Sequence, residues 1–195
     1  MEAVAPTRRG RERREQLLNA TAELVAARDF HSVGIADIGA AAGVTGSAIY
    51  RHFRNKADIL VALMERVVDE LLDSARHDDH LAGLIQRHAE FAIRDRALLA
   101  VYAAEQHNVP DESRRRLRRR QRTYVDVWER AIADARPDVD RTTARSMAHA
   151  VIELLNSVPE MPQRLLADDR LLALLVGMAD AAVRGAQPGV VTPSI

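Results

Sequence analysis

Residues Gly34 to Lys56, "GIADIGAAAGVTGSAIYRHFRNK", constrain this chain more than any other stretch. Two short apolar-periodic segments, about 35–42 and 45–52, are separated only by Gly43 and Val44, which predicts two short helices meeting across a tight turn. Ile35, Ile38, Val44, Ile49 and Phe53 can form a small core between them, and Ala40, Ala41 and Ala42 permit close approach. Gly43 suits the left-handed residue that ends the first helix, and Thr45 suits the N-cap of the second. With Ile49 and Phe53 turned inward at i, i+4, residues Ser47, Tyr50, Arg51 and Arg54 turn outward. Hydroxyls and guanidiniums on one helix face are the groups that meet base edges and phosphates. Two packed helices with a merely solvated polar face would leave the same pattern.

Helical periodicity extends through the rest of the chain, and an all-α protein is expected. A first helix runs from about 11 to 28, with Leu17, Leu18, Leu24 and Val25 on one stripe. Asn55 caps a long helix over 56–77, whose stripe is Leu60, Leu63, Met64, Val67 and Leu71. Two helices with a poorly marked joint cover 81–107, "NVPDES" opens a helix that carries an arginine run, and "RPDVD" closes it. Helices over 140–157 and from about 169 to 184 follow, separated by "PEMP". Nine helices result, with no internal repeat and no convincing strand.

The chain has 195 residues, 47% hydrophobic and 29% charged, which is enough to bury a core. It has no cysteine, which excludes disulfides, thiolate metal sites and a cysteine nucleophile. The opening "MEAVAPTRRGRERR" leads into charge rather than an apolar core, and "LLALLVGMADAAV" is shorter than a bilayer span; a cytoplasmic protein that meets no membrane is expected. Net charge is zero, yet residues 1–56 carry a net +3 and the remainder −3. A basic N-terminal module on an acidic body points to a phosphate-facing end. "HDDH" at His77–His80 has metal-ligand residue types but reads as a solvated helix break, and no metal or cofactor is expected. No phosphate loop, nucleophile elbow or HExxH motif occurs, so an enzyme is not expected.

The first helix followed by "IADIGAAAGVTGSAIYRHFRNKADIL" resembles the N-terminal domain of the TetR family of bacterial transcriptional repressors, of the TetR/AcrR type, over about Arg11 to Leu60. The resemblance implies a basic flexible arm (1–10), a three-helix helix-turn-helix DNA-binding domain (11–55), a six-helix ligand-binding and dimerisation domain (56–186) and a tail (187–195). It implies a homodimer, joined through the last two helices, on a double-stranded, quasi-palindromic operator. Carried over by position, Thr45, Gly46 and Ser47 open the recognition helix; Tyr50 and Lys56 are expected on phosphates; Gly46, Ser47 and Arg51 are expected near bases; and His52 completes the aromatic-x-His element. The chain departs from the family at Val33 and Gly34, where Thr or Ser is common, leaving Ser32 or backbone amides for a phosphate there. Arg8, Arg9, Arg11, Arg13 and Arg14 form a second basic cluster that suits either solvent or the DNA backbone.

Seven arginines fill the nine positions from Arg114 to Arg122. A helical wheel puts Leu117, Gln121, Tyr124, Trp128, Ala131 and Ile132 on one face and points Arg115, Arg118, Arg119 and Arg122 away. Arg114, Arg116 and Arg120 border the apolar stripe, where they could close a pocket around an anionic ligand or pair with an inward acid such as Glu105. Candidate pocket residues are Trp128, Tyr124, Arg120, Tyr102, Phe91, Asn156 and Met64, with His88 and Met147 beside them; plain core is the commoner fate of each. The segment from Val101 to Trp128 is similar to actinobacterial family members associated with acyl-CoA and lipid metabolism, which implies release by a small amphipathic effector such as an acyl-CoA. A regulator without an effector, or one answering a drug-like hydrophobic compound, is the alternative.

Overall fold

A computed structural model describes residues 8–77 and 80–186; Asp78 and Asp79 of "HDDH", the arm before Arg8 and the tail from 187 lie outside the described residues. The regular elements described are all helical. They are α1 (Arg8–Ala27), α2 (Ile35–Ala41), α3 (Gly46–Ile49), α4 (Lys56–His77), α5 (Leu81–Arg94), α6 (Arg96–Ala104), α7 (Asp111–Ala135), α8 (Arg141–Asn156), α9 (Gln163–Leu166) and α10 (Leu171–Gly185). Single 3-10 turns at Gln106–Asn108 and Val158–Glu160 join neighbours. The order follows the periodicity, with two differences. Helix α1 starts at Arg8, inside the stretch expected as an arm, where Arg8 pairs with Glu12 one turn on. Helix α9 is an additional single turn after Pro162, too short to display a period.

The chain forms two compact units. One comprises the residues up to Val67 together with Ala97–Leu117; the other comprises Val68–Arg96 and the chain from Arg118. The first therefore holds α1–α3, the first half of α4 and a stretch taken from the middle of the sequence. In it α2 packs against both α1 and α3, and Leu17, Leu18, Ile38, Ile49, Ile59, Leu60 and Leu63 are all at most 1% exposed. Arg66 of α4 reaches Asn19 and Glu15 of α1, tying the two helices at their polar edge.

In the second unit α5, α8 and α10 pack on one another. Leu171, Leu175, Ala179 and Val183 form the buried stripe of α10 at i, i+4 spacing, and Ala144, Ala148, Val151 and Leu155 that of α8. Each fully buried leucine contributes about 1.5–3 kcal/mol by leaving water. Arg136 closes the end of α10, donating to the carbonyls of Val183 at 2.6 Å and Arg184 at 3.2 Å, where helical carbonyls lack partners. The buried carboxylate of Glu129 joins α7 to α8, and its pKa is held low by hydrogen bonds from Arg141 first and Arg145 second.

Candidate nucleic-acid interface and a buried polar cluster

The turn between α2 and α3 is built by backbone geometry. Gly43 lies in the left-handed region at φ 64°, as its place in the sequence predicts. Gly43 N–H donates to Ala40 O at 3.2 Å and Val44 N–H to Gly39 O at 2.8 Å, the pair of bonds that closes a Schellman helix end. Gly39 is needed for a different reason: a Cβ there would sit 2.8 Å from the carbonyl oxygen of Val44. Thr45 is the N-cap of α3, but its hydroxyl bonds the Ser47 hydroxyl at 2.9 Å rather than a backbone amide. After Ile49 the helix loosens into i→i−3 bonds, Arg51 N–H to Ala48 O and His52 N–H to Ile49 O, which ends it short of the eight residues expected.

The two sides of α3 separate as the i, i+4 spacing predicts. Ile49 and Phe53 are buried, whereas Thr45, Ser47, Tyr50 and Arg51 are exposed, Tyr50 by 57%. Gly46 and His52 are half-buried beside this face. Arg14 of α1 lies over the Phe53 ring, 5.1 Å from its centroid. Arg54 is exposed but held by the Asp58 carboxylate, whose pKa that guanidinium lowers, and Asn55 accepts the Asp58 N–H at 2.8 Å as the expected cap.

Lys56, expected on a phosphate by resemblance, lies against the α1–α2 turn. Its ammonium lies 4.3 Å from the centroid of the Phe30 ring and donates to the carbonyls of Phe30, of Val33 at 2.8 Å and of His31 at 3.3 Å. All three of its protons serve the α1–α2 turn. Ser32 is likewise engaged, its N–H on the Asp29 carboxylate at 2.8 Å, and the Gly34 N–H donates to Asp37 at 2.8 Å. The outer surface of α3 directs polar groups to solvent, as do the exposed Arg9, Arg11 and Arg13 of α1.

Arg115, Arg118, Arg119 and Arg122 are exposed as the wheel predicts, and so is Arg116, which it sets at the border of the stripe. The partners of the bordering arginines differ from the expectation. Arg120 pairs with Asp69 rather than Glu105, Arg116 pairs with Glu65, and Arg114 pairs with Asp111 on its own helix. Glu105 faces the α1–α2 turn and is already occupied there by the Phe30 N–H.

The pocket candidates are divided between the two units. Met64 is buried and Tyr102 half-buried in the first unit; Phe91, Tyr124, Trp128 and Asn156 belong to the second, with Arg120 at its surface. In the second unit a polar chain crosses the core. His88 Nδ1 lies 2.9 Å from the Tyr124 hydroxyl and His88 Nε2 lies 3.0 Å from Asn156 Oδ1. With Asn156 as acceptor, Nε2 carries the proton and Tyr124 donates to Nδ1. Burial pushes the His88 pKa down to about 4, so the ring is neutral at pH 7, and burial pushes Tyr124 up. Trp128 packs edge-on to both rings, with centroids 6.0 Å and 6.2 Å away. Its buried Nε1–H has no acceptor in hydrogen-bond geometry. No helix is long and apolar enough to cross a membrane, and no metal-binding cluster occurs among the described residues.

Comparison with known proteins places these features in context. Residues 17–63 match the family described as "Bacterial regulatory proteins, tetR family", and residues 73–160 match "Tetracyclin repressor-like, C-terminal domain". The fatty acid metabolism regulator protein of Bacillus subtilis (strain 168) is 24% identical over 152 residues, 71% of this chain and 78% of that protein. The fold matches the TetR-family regulator PfmR of Thermus thermophilus with a TM-score of 0.76 at 15% identity, over 88% of this chain and 98% of that one. It also matches AibR in complex with isovaleryl coenzyme A and operator DNA, with a TM-score of 0.70 at 21% identity, over 85% and 97% of the two chains.

Proposed function

The chain belongs to the TetR family of bacterial transcriptional regulators, and from that premise we propose that it represses by holding a quasi-palindromic operator as a homodimer and is released by an acyl-CoA or a related amphipathic lipid metabolite. The observation that carries the DNA half is the outer face of α3, where Thr45, Ser47, Tyr50 and Arg51 are exposed above a closed turn. Arg51 and Ser47 suit base edges, Tyr50 and Thr45 suit phosphates, and Lys56 holds the frame. Two copies would set their α3 helices in successive major grooves, roughly 34–36 Å apart.

Two exposed apolar side chains support the dimer. Leu174 and Met178 are 58% and 49% exposed on a face of α10 beside its buried stripe, which suits a four-helix contact of α8 and α10 with their copies. Replacing both with aspartate is expected to give a monomer in sedimentation and to cost at least about 100-fold in operator affinity, because one half-site must then bind alone. A dimer that survives this change would place the contact elsewhere.

The effector half draws on the relatives' chemistry and on the second unit, where an apolar core contains one polar chain, His88, Tyr124 and Asn156, beside an unsatisfied indole N–H. A thioester carbonyl offers the acceptor that Trp128 lacks, and an acyl chain would share the apolar surroundings. The test is fluorescence anisotropy on a duplex selected by the protein from a random-sequence pool, with acyl-CoAs of graded length titrated in and free CoA as control. Release by acyl-CoA alone is expected; operator affinity unchanged at saturating acyl-CoA overturns the effector half and leaves a regulator without this ligand class. By linkage, the operator must weaken acyl-CoA binding by the same factor.

A further inference from the structure

The α1–α2 turn is gripped from both sides. Its carbonyls at Phe30, His31 and Val33 receive the Lys56 ammonium. Its Phe30 N–H lies beyond the end of α1, where no helical carbonyl can receive it, and it donates at 3.1 Å to Oε1 of Glu105, a residue 75 positions away. The second oxygen of Glu105 accepts from Asn108 Nδ2 at 2.7 Å, and Asn108 Oδ1 meets His31 Nε2 at 2.9 Å. Two residues of the turn, Phe30 and His31, are therefore each held by a side chain from the end of α6 or the 3-10 turn that follows. Glu105 is only 6% exposed. A carboxylate buried among neutral donors is costly to place, and an apolar residue there would leave the Phe30 N–H without an acceptor.

We propose that Glu105 and Asn108 are positioning residues for operator recognition, so that the reading head of this protein is the N-terminal helices together with Ala97–Leu117. The proposal rests on operator binding as described above. The turn from Asp29 to Val33 is the covalent link between α1 and the helix pair α2–α3, and its setting fixes how α3 is carried. Neither residue touches DNA in this scheme; both act through the turn. The same clasp joins the turn to a segment that follows α6 and precedes α7, which gives a change in that segment a defined hydrogen-bonded route to the recognition helix.

A glutamine at position 105 should keep the clasp. Its amide oxygen can accept the Phe30 N–H, its amide nitrogen can donate to Asn108 after that side chain turns over, and His31 can answer by taking its other tautomer. Alanine at 105 should break it. The experiment compares wild type, Glu105→Gln, Glu105→Ala and Asn108→Ala on the selected duplex and on an unrelated duplex of equal length, with hydrogen exchange of the Phe30 amide measured on the same proteins. The expected result is at least about a tenfold loss on the selected duplex for the two alanine variants, little change on the unrelated duplex, near wild-type binding for Glu105→Gln, and Phe30 protection lost only in Glu105→Ala. A general loss of folding would lower both duplexes together and would not be rescued by glutamine. Glu105→Ala binding the selected duplex as tightly as wild type, or retaining full Phe30 protection, overturns the proposal. If wild type itself shows no preference among duplexes, the reading as an operator-binding protein falls instead, and the Phe30 exchange alone decides the clasp.

Discussion

Gly39→Ala is expected to destabilise the protein by about 1–3 kcal/mol and to abolish preferential operator binding, although it exchanges the poorest ordinary helix former for the best. Propensity alone would predict a gain of about 1 kcal/mol. The opposing term is steric: the new Cβ would meet the Val44 carbonyl oxygen at 2.8 Å, and that atom belongs to backbone whose own N–H is fastened to Gly39 O. Relief requires α3 to move away from α2, which is the displacement that spoils recognition. Thermal unfolding together with anisotropy on the selected duplex would check this, and an alanine variant more stable than wild type would show that the turn can relax without loss.

A comparable effect should appear with pH and be carried chiefly by one histidine. His88 has its pKa lowered by burial to about 4 in the folded chain, against about 6.5 when unfolded. Above about pH 6.5 the ring is neutral in both states and contributes no pH dependence. As pH falls from there towards 4, the unfolded chain takes up a proton that the folded chain does not, so stability declines, by roughly 3 kcal/mol across the window. Below about 4 both forms are protonated and the slope from this group ends. Chemical denaturation at about pH 7.5 and about pH 4.5 should show the loss in wild type and a much smaller one in His88→Gln, which can still bond Tyr124 and Asn156. The carboxylate of Asp168, held at about 2 by Arg170, titrates outside this window. Equal slopes in the two proteins would remove His88 as the cause.

What the sequence made legible is what repeats or closes locally. The Gly43 turn, the Asn55 cap, and the inward Leu117, Tyr124 and Trp128 against outward Arg115, Arg118, Arg119 and Arg122 all follow from spacing, because a helix fixes which residues share a face. Periodicity says which side is buried but not what lies opposite. Hence Arg120 meets Asp69 rather than Glu105, and Glu105 meets a backbone N–H 75 residues away. The compact units depart from a linear division at Lys56 for the same reason: Ala97–Leu117 joins the N-terminal helices through contacts that local composition does not register. The place of Glu105 directly after the apolar run "VYAA" was an available signal that it turns inward.

Lys56 is also the chain's single lysine. Its amine is wrapped by three carbonyls and an aromatic ring, so acylating reagents and activated esters must compete with those contacts to reach it. Modification of this side chain would rise as the turn before α2 lets go. Mass spectrometry after a brief pulse of such a reagent would therefore report the opening of that turn directly, in free protein or on DNA, with no engineered probe.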